Sequence, residues 1–120
     1  MKILVVDGAN VVGSVPDGWW RDRAGAAARL HAGLTRAELA YGRVVLVLEG
    51  EARAGVPESI DGIVQTVHAA GSGDDEIVAR CEHAAGAAEV TVATADRGLL
   101  DRLAPEVAVI GPRTLRSHLG

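Results

Sequence analysis

The fold is decided at residues 3–10, which read ILVVDGAN. The first four residues of this stretch are all apolar and rich in β-branched side chains. Such a run predicts a strand that is buried on both faces of a sheet. The run stops at Asp7 and Gly8, so a carboxylate follows the strand directly. Strands buried on both faces occur in parallel sheets that helices cover from either side, which indicates an α/β protein.

The rest of the chain alternates between strand-like and helix-like stretches. We expect the third strand to lie at an edge of the sheet, because it is more polar than the others. The stretch at 50–62 is rich in Gly, Pro and Glu and is predicted to be a loop. The further strands are predicted at residues 43–49, 63–68, 90–95 and 107–110, and the helices at 19–40, 74–85, 98–103 and 112–119.

Composition restricts the class of protein. A chain of 120 residues with 48% hydrophobic residues predicts one globular domain at 1–120. Cys81 is the only cysteine, so an internal disulfide is excluded and a reducing, cytoplasmic location is expected. No run approaches the roughly 20 apolar residues that span a bilayer, which argues against a membrane partner. The net charge of −4 argues against a surface coated with basic residues.

Acidic side chains are concentrated where the predicted strands end. Asp7, Glu49 and Asp96 each follow or close a strand, and Asp74 and Asp75 open the helix before the fourth strand. The carboxyl ends of parallel strands meet at one edge of a sheet, and ligands bind there where the strand order reverses. In a sheet of order 3-2-1-4-5, Asp7 and Asp96 would face each other, with Asp74 or Asp75 close by.

Such crowded carboxylates repel one another unless some are protonated or a cation lies among them. Oxygen ligands without His or Cys at ligand spacing favour Mg²⁺ or Mn²⁺. Cations of this kind bind substrate phosphates and stabilise the attacking and leaving oxygens of a phosphoryl displacement. The pattern therefore predicts metal-assisted phosphodiester hydrolysis without a protein nucleophile.

Three short motifs also carry a family resemblance. They are VDGANV at residues 6–11, GDDEI at 73–77 and TADRGL at 94–99. In this order they resemble the NYN domains of the PIN-like nuclease superfamily, in particular the YacP-like branch that is common in bacteria. The resemblance covers nearly the whole chain.

The resemblance implies a Rossmann-like three-layer α/β sandwich with a mainly parallel sheet of five strands, in the order 3-2-1-4-5. It implies an endoribonuclease in which a water activated by Mg²⁺ or Mn²⁺ hydrolyses single-stranded or structured RNA, and it is compatible with a homodimer. Asp7 would be the first metal ligand, Asp74 or Asp75 the second and Asp96 the third. Asn10 would help to position substrate or water.

Several residues near these motifs are candidates for substrate binding. Trp19 could stack on a base, which is worth about 1–3 kcal/mol per base, and Trp20 is expected to anchor the first helix in the core. The candidate phosphate contacts are Arg21, Arg23, Arg97 and Arg113.

Each carboxylate also has a purely structural alternative. Asp7 could accept a hydrogen bond within a turn, and Asp96 could cap a short helix. Ser72 or Asp74 could cap the helix that starts near residue 74. A carboxylate can have both roles, so these alternatives stay open.

Two positions depart from the family pattern. The second strand ends in Glu49 where the family often has Asp, and the acid that follows the third motif comes only at Asp101. Whether Glu49 or Asp101 joins the cluster stays open, as does the choice between one metal ion and two. The alternative functions are a non-catalytic RNA- or nucleotide-binding module and a phosphohydrolase that acts on small nucleotides.

Overall fold

The computed structural model describes residues 1–119; Gly120, the last residue of the predicted domain, lies outside them. A six-stranded sheet forms the middle of the molecule in the order β3-β4-β2-β1-β5-β6. All neighbouring strands are parallel except β3 and β4. The strands are β1 (Lys2–Asp7), β2 (Arg43–Leu48), β3 (Ser59–Asp61), β4 (Val64–His68), β5 (Glu89–Ala93) and β6 (Ala108–Ile110).

Helices cover both faces of this sheet. The side chains of β1 alternate between two apolar layers: Leu4 and Val6 pack in one cluster and Val5 in the other. The first cluster includes residues of α1, α2 and α5, and the second includes residues of α3 and α4. The result is a three-layer α/β arrangement with β1 near its centre. The helices are α1 (Gly8–Gly13), α2 (Arg23–Arg36), α3 (Gly73–Ala84), α4 (Arg97–Leu100) and α5 (Pro112–Ser117), with 3-10 helices at Trp19–Arg21 and Gly50–Gly55.

The sheet differs from the predicted one in strand count and order, because β3 adds an antiparallel strand. β3 pairs with β4 through a two-residue turn that begins at Gly62, whose φ of 58° favours glycine. The prediction of a loop throughout 50–62 was therefore wrong, and so was the edge position of the strand at 63–68. The three residues of β3 are too few and too polar to show a strand pattern in the sequence.

The helix predicted at 19–40 is shorter at both ends. Asp22 ends the 3-10 turn and caps α2 instead, because its side chain accepts a hydrogen bond from the Gly25 N–H at 2.8 Å. At the other end Ala37 is extended, so α2 stops at Arg36. The six-residue α1, which follows β1 without a loop, was not predicted; two of its residues are glycines.

The remaining helices begin within one residue of their predicted start, but two of them are shorter than predicted. α3 lies within a residue of the predicted bounds, whereas α4 and α5 end earlier than predicted. The longest helix, α2, has 14 residues. Across residues 1–119, no helix combines the length and the apolar character needed to cross a bilayer.

Candidate active site at the carboxyl ends of the strands

Asp7 is the most deeply buried charged residue of this edge, with 4% of its surface exposed. It is the last residue of β1 and the N-cap of α1. Its Oδ1 accepts a hydrogen bond from the Asn10 N–H at 3.3 Å, and its Oδ2 accepts one from the Thr94 hydroxyl at 2.8 Å. The turn-like hydrogen bond considered from the sequence is therefore present, and it holds the carboxylate at the centre of the sheet edge.

Gly8 allows helix α1 to begin directly at Asp7. A Cβ atom at this position would lie 2.5 Å from the carbonyl oxygen of Val47 and 2.9 Å from Cδ2 of Leu48. A backbone oxygen that close cannot move aside cheaply, so only glycine fits between α1 and β2.

Thr94 is a member of this site that sequence reasoning missed. It is buried, with 1% of its surface exposed. Its hydroxyl donates to Asp7 and accepts from the backbone N–H of Asp96 at 3.1 Å. One side chain thus orients the first carboxylate and ties the segment after β5 to it. The available signal was a hydroxyl residue directly after an apolar strand and two residues before Asp96.

Asn10 connects α1 to the same segment. Its Oδ1 accepts a hydrogen bond from the Ala95 N–H at 2.8 Å. This bond fixes the orientation of the side-chain amide, so its two N–H donors are on the other side. Asn10 therefore lies beside Asp7, and its predicted role in positioning substrate or water stays a prediction.

Asp74 and Glu49 approach Asp7 from the neighbouring elements. Asp74 lies in the first turn of α3 and is half-buried. Burial raises the pKa of Asp74, and the charges of Asp96 and Glu49 raise it further, whereas Arg102 opposes them. Glu49 packs against α3: a Cβ at Gly73 would lie 2.9 Å from Glu49 Oε1.

The pKa of Asp7 is raised as well. Burial is the largest cause, and the charges of Asp74 and Glu49 add to it, whereas the hydrogen bonds from Thr94 and Asn10 lower it. The charges of Glu49 and Asp74 thus act on Asp7, and those of Glu49, Asp75 and Asp96 act on Asp74. Four of these carboxylates have no ion pair among residues 1–119, and we call them the acidic cluster: Asp7, Glu49, Asp74 and Asp96.

Asp75 and Asp101 lie outside the acidic cluster. The Asp75 carboxylate is 73% exposed and pairs with Arg102, with 2.9 Å between Oδ1 and Nη2. Asp101 is exposed at the C-terminus of α4. Ser72, rather than Asp74, caps α3, because its hydroxyl accepts from the Asp75 N–H.

Asp96 combines its place in the cluster with a structural role. Its Oδ1 accepts a hydrogen bond from the Leu99 N–H at 3.0 Å and caps α4. The capping alternative is therefore correct for Asp96, and its second oxygen remains available as an acceptor.

The acidic cluster matches a hard cation in chemistry, although its side chains do not close around one point. Its donors are all carboxylate oxygens, the ligands that Mg²⁺ and Mn²⁺ prefer. Burial is the largest cause of the raised pKa of Asp7 and Asp74, and the charges of neighbouring carboxylates add to it. Within residues 1–119, however, no three His, Cys, Asp or Glu side chains are arranged to hold one metal ion.

The aromatic pair lies beyond α1. Trp19 is half-buried against the core, and Trp20 is 49% exposed, so the expectation that Trp20 anchors the core was wrong. The two rings meet edge to face with 5.8 Å between centroids. The guanidinium of Arg23 lies 4.9 Å from the Trp19 ring centroid, so one face of the ring is covered.

The four candidate phosphate contacts are exposed side chains. In the described part of the chain, the ion pairs involve none of them. Arg23 already lies over the Trp19 ring, whereas no ion pair or ring contact in residues 1–119 occupies Arg21, Arg97 or Arg113. The four residues are Arg21, Arg23, Arg97 and Arg113.

Two cavities differ in their relation to the acidic cluster. The larger, of about 1050 Å³, lies around the amino ends of β1 and β5 and includes Lys2, Cys81 and Glu89, but no member of the cluster. The smaller, of about 460 Å³, opens beside Asn10 and Ala95. Only the smaller cavity adjoins residues that contact Asp7.

Comparison with known proteins places the fold among solved structures. No family model matches the chain, and no curated protein matches it. It is similar to the crystal structure of a mutant of Rae1 (YacP) from Bacillus subtilis, with a TM-score of 0.71 and 20% sequence identity over 99% of this chain and 75% of that one. At this identity the likeness concerns the fold. The chain therefore shares its fold with a YacP protein, the branch that its three motifs resemble.

Proposed function

We propose that this protein is a ribonuclease that hydrolyses RNA phosphodiester bonds at the acidic cluster with the help of Mg²⁺ or Mn²⁺. The observation that carries the proposal is Asp7, a carboxylate buried at the end of a central strand. Its pKa is raised by burial and by the charges of Asp74 and Glu49. A fold gains no stability from crowding carboxylates, so this arrangement indicates a binding or catalytic role.

The residues that would hold the cation are Asp7 and Asp74, with Glu49 and Asp96 beside them. A bound divalent ion supplies a Lewis acid for the phosphate and makes a water molecule more acidic. Asp75 was a predicted ligand of equal standing to Asp74. Its pairing with Arg102 leads us to assign the second carboxylate to Asp74.

The other residues of the site would orient the Asp7 carboxylate or bind the RNA substrate. Thr94 holds the Asp7 carboxylate in one orientation through its hydroxyl. The amide N–H donors of Asn10 would position a phosphate oxygen or a water molecule. Arg97 begins α4 directly after Asp96 and is exposed, so it would contact an RNA phosphate near the cluster.

Two independent observations support RNA as the substrate. The three motifs resemble a family that cleaves RNA; Asp7 ends β1, Asp96 follows the adjacent strand β5, and Asp74 lies in the first turn of α3. The fold is similar to that of a YacP protein. The exposed arginines would supply the positive charge that an acidic chain otherwise lacks.

The proposal is tested by incubating the full chain with end-labelled single-stranded RNA in Mg²⁺, Mn²⁺ or EDTA. We expect cleavage only with a divalent ion. The change Asp7→Asn should lower kcat/KM by about 100-fold or more, the usual cost of removing a group that stabilises the transition state. The matched control is Glu82→Gln, an exposed carboxylate on the same helix as Asp74, and it should cleave like the wild type.

Other outcomes would replace the proposal. Binding of RNA without cleavage under every metal condition would favour a non-catalytic binding module. Hydrolysis of a nucleoside triphosphate but not of RNA would favour a small-nucleotide phosphohydrolase. If Asp7→Asn cleaves RNA at the wild-type rate, the active site lies elsewhere than at the acidic cluster.

A further inference from the structure

The smaller cavity has a composition unlike that of the acidic cluster beside it. It has a volume of about 460 Å³ and lies between α1 and the first turn of α5. Its lining includes one arginine and no acidic residue. It is therefore a place next to the carboxylates where an anionic ligand meets donors instead of like charge. The lining residues are Ala9, Asn10, Gly13, Ser14, Ala95, Gly111, Pro112, Arg113 and Thr114.

The cavity adjoins the candidate active site through two of its lining residues. Asn10 donates its backbone N–H to Asp7 and accepts from the Ala95 N–H through its side chain. Ala95 lies between Thr94 and Asp96 in the chain. A ligand in the cavity would therefore contact Asn10, which also contacts Asp7.

The two walls of the cavity are held together by Arg116. This side chain on α5 donates through Nε to the Val11 carbonyl at 3.0 Å and to the Ser14 hydroxyl at 3.2 Å. It donates through Nη2 to the Val12 carbonyl at 3.4 Å. The separation of α1 and α5 is thus fixed by hydrogen bonds before any ligand binds, which reduces the entropy lost on binding.

The groups that remain free in the cavity suit a nucleotide. Ala9, Gly13 and Pro112 present a small apolar surface on which a planar ring can lie. The Asn10 amide and the Thr114 hydroxyl can form hydrogen bonds with a base or a sugar. Arg113 is exposed, has no ion pair among residues 1–119, and can contact a phosphate.

We propose that this cavity is a nucleotide subsite, which binds one nucleotide of the RNA strand next to the phosphodiester bond that is cleaved. The base or sugar lies against Ala9, Gly13 and Pro112, and Arg113 binds the flanking phosphate. The inference rests on the proposed function for the position of the cleaved bond. The binding of a nucleotide in the cavity can be tested without cleavage.

The test measures the Kd of a fluorescein-labelled single-stranded RNA hexamer by anisotropy in Mg²⁺, on ice, with a gel to verify that the RNA stays intact. Ala9→Phe fills the cavity from an exposed position on α1, and we expect it to weaken binding about tenfold or more. Arg113→Ala removes the phosphate contact and should weaken binding about tenfold, as expected for one charged hydrogen bond. Uridine 5′-monophosphate should compete with the hexamer on the wild type but not on Ala9→Phe.

The matched controls make the same chemical changes elsewhere. Ala79→Phe adds the same ring at an exposed position of α3, and Arg29→Ala removes one exposed positive charge from α2. Both should bind the hexamer within about twofold of the wild type, because they change no group in the cavity. Thermal unfolding of every variant verifies that the fold is retained.

The outcomes separate the subsite from the proposed function. Equal Kd values for the cavity variants and their controls would overturn the subsite, as would a wild type that does not bind the hexamer. If Ala9→Phe and Arg113→Ala cleave RNA at the wild-type rate, the proposed ribonuclease function is retained and the nucleotide subsite is rejected. If the cavity variants alone lose RNA binding and the wild type cleaves no RNA, the nucleotide subsite is retained and the ribonuclease function is rejected.

Discussion

The two ends of the sheet differ in whether a charged side chain is buried there. At the carboxyl ends of the strands, Asp7 is almost fully buried among other carboxylates, beside a cavity of about 460 Å³. At the amino ends, half of the residues that line a cavity of about 1050 Å³ are aliphatic, and its charged lining residues, such as Lys2 and Glu89, are not buried. The larger cavity therefore has no buried charge in its lining, whereas the smaller one lies beside Asp7.

This difference shows which observation indicates function. The larger cavity borders β6, a mostly exposed strand of three residues at the edge of the sheet. A buried carboxylate among others costs free energy and persists only where another requirement maintains it. The volume of a cavity is thus poorer evidence for an active site than the charge buried beside it.

The largest expected contrast between the two ends concerns glycine. Gly8→Ala should lower the free energy of unfolding by about 2–3 kcal/mol, because the new Cβ meets the backbone oxygen of Val47 at 2.5 Å. At the amino end, Gly42→Ala meets only the flexible Met1 side chain, and it should change stability by less than about 0.5 kcal/mol. Urea unfolding of both variants measures the difference, and equal values would show that α1 tolerates displacement.

Two threonines in and after β5 provide the next contrast. Thr94→Val should cost about 1–3 kcal/mol, because the Asp7 carboxylate and the Asp96 N–H lose a buried partner. Thr91→Val, at a half-buried position that borders the larger cavity, should be nearly neutral. The same unfolding experiment compares them. A neutral Thr94→Val would mean that Asp7 does not depend on this hydrogen bond.

Asp7→Asn should stabilise the protein at neutral pH, by about 1 kcal/mol or roughly 4 °C. The pKa of Asp7 is raised above 3.8 in the fold, so the folded state binds the proton more tightly than the unfolded state. Protonated Asp7 therefore stabilises the fold below pH 3.8, and this stabilisation is lost as the pH rises through the raised pKa of Asp7 in the folded state. The gain in Asp7→Asn should therefore be largest at pH 7 and fade toward pH 3.

Thermal unfolding of Asp7→Asn across this pH range tests the sign. The exposed Glu89→Gln at the amino end is the control and should shift the midpoint little at any pH. A destabilised Asp7→Asn at pH 7 would mean that its hydrogen bonds with Thr94 and Asn10 outweigh the cost of burying the charge.

The smallest effect is expected for the surface pair of Asp75 and Arg102. Asp75→Asn should change the free energy of unfolding by about 0.5 kcal/mol or less, because both side chains are well exposed. The effect should vanish in high salt. A gain in stability at neutral pH, as expected for Asp7→Asn, would place Asp75 in the acidic cluster after all.

The parallel part of the sheet could be predicted because its strands are continuous apolar runs. β1 and β2 are buried on both faces, and no helix pattern competes with them. The strand Ser59–Asp61 could not be predicted, because three residues show no periodicity and its pairing with β4 is a tertiary event. The break before α2 depends on which of several polar residues becomes the cap, and the Asp22 side chain decides it.

The site could be predicted as far as the positions of its carboxylates along the chain. Asp7 and Asp96 lie at the ends of adjacent strands, as their place after apolar runs indicated. Sequence spacing does not show which of two neighbouring helix residues turns inward, so Asp74 and Asp75 could be separated only by the structure. Thr94 was missed because a hydroxyl residue after a strand is common. Its role depends on a hydrogen bond to Asp7, which the sequence does not show.

The contacts of α1 also determine when the site can form. Asp7 Oδ2 accepts its hydrogen bond from Thr94, 87 positions later, and the Val11 carbonyl accepts one from Arg116, 105 positions later. During synthesis from the N-terminus, the first carboxylate and its helix emerge long before either partner. A chain that is translated only as far as α3 therefore has Asp7, Glu49 and Asp74 but lacks the contacts that hold Asp7 and α1 in place.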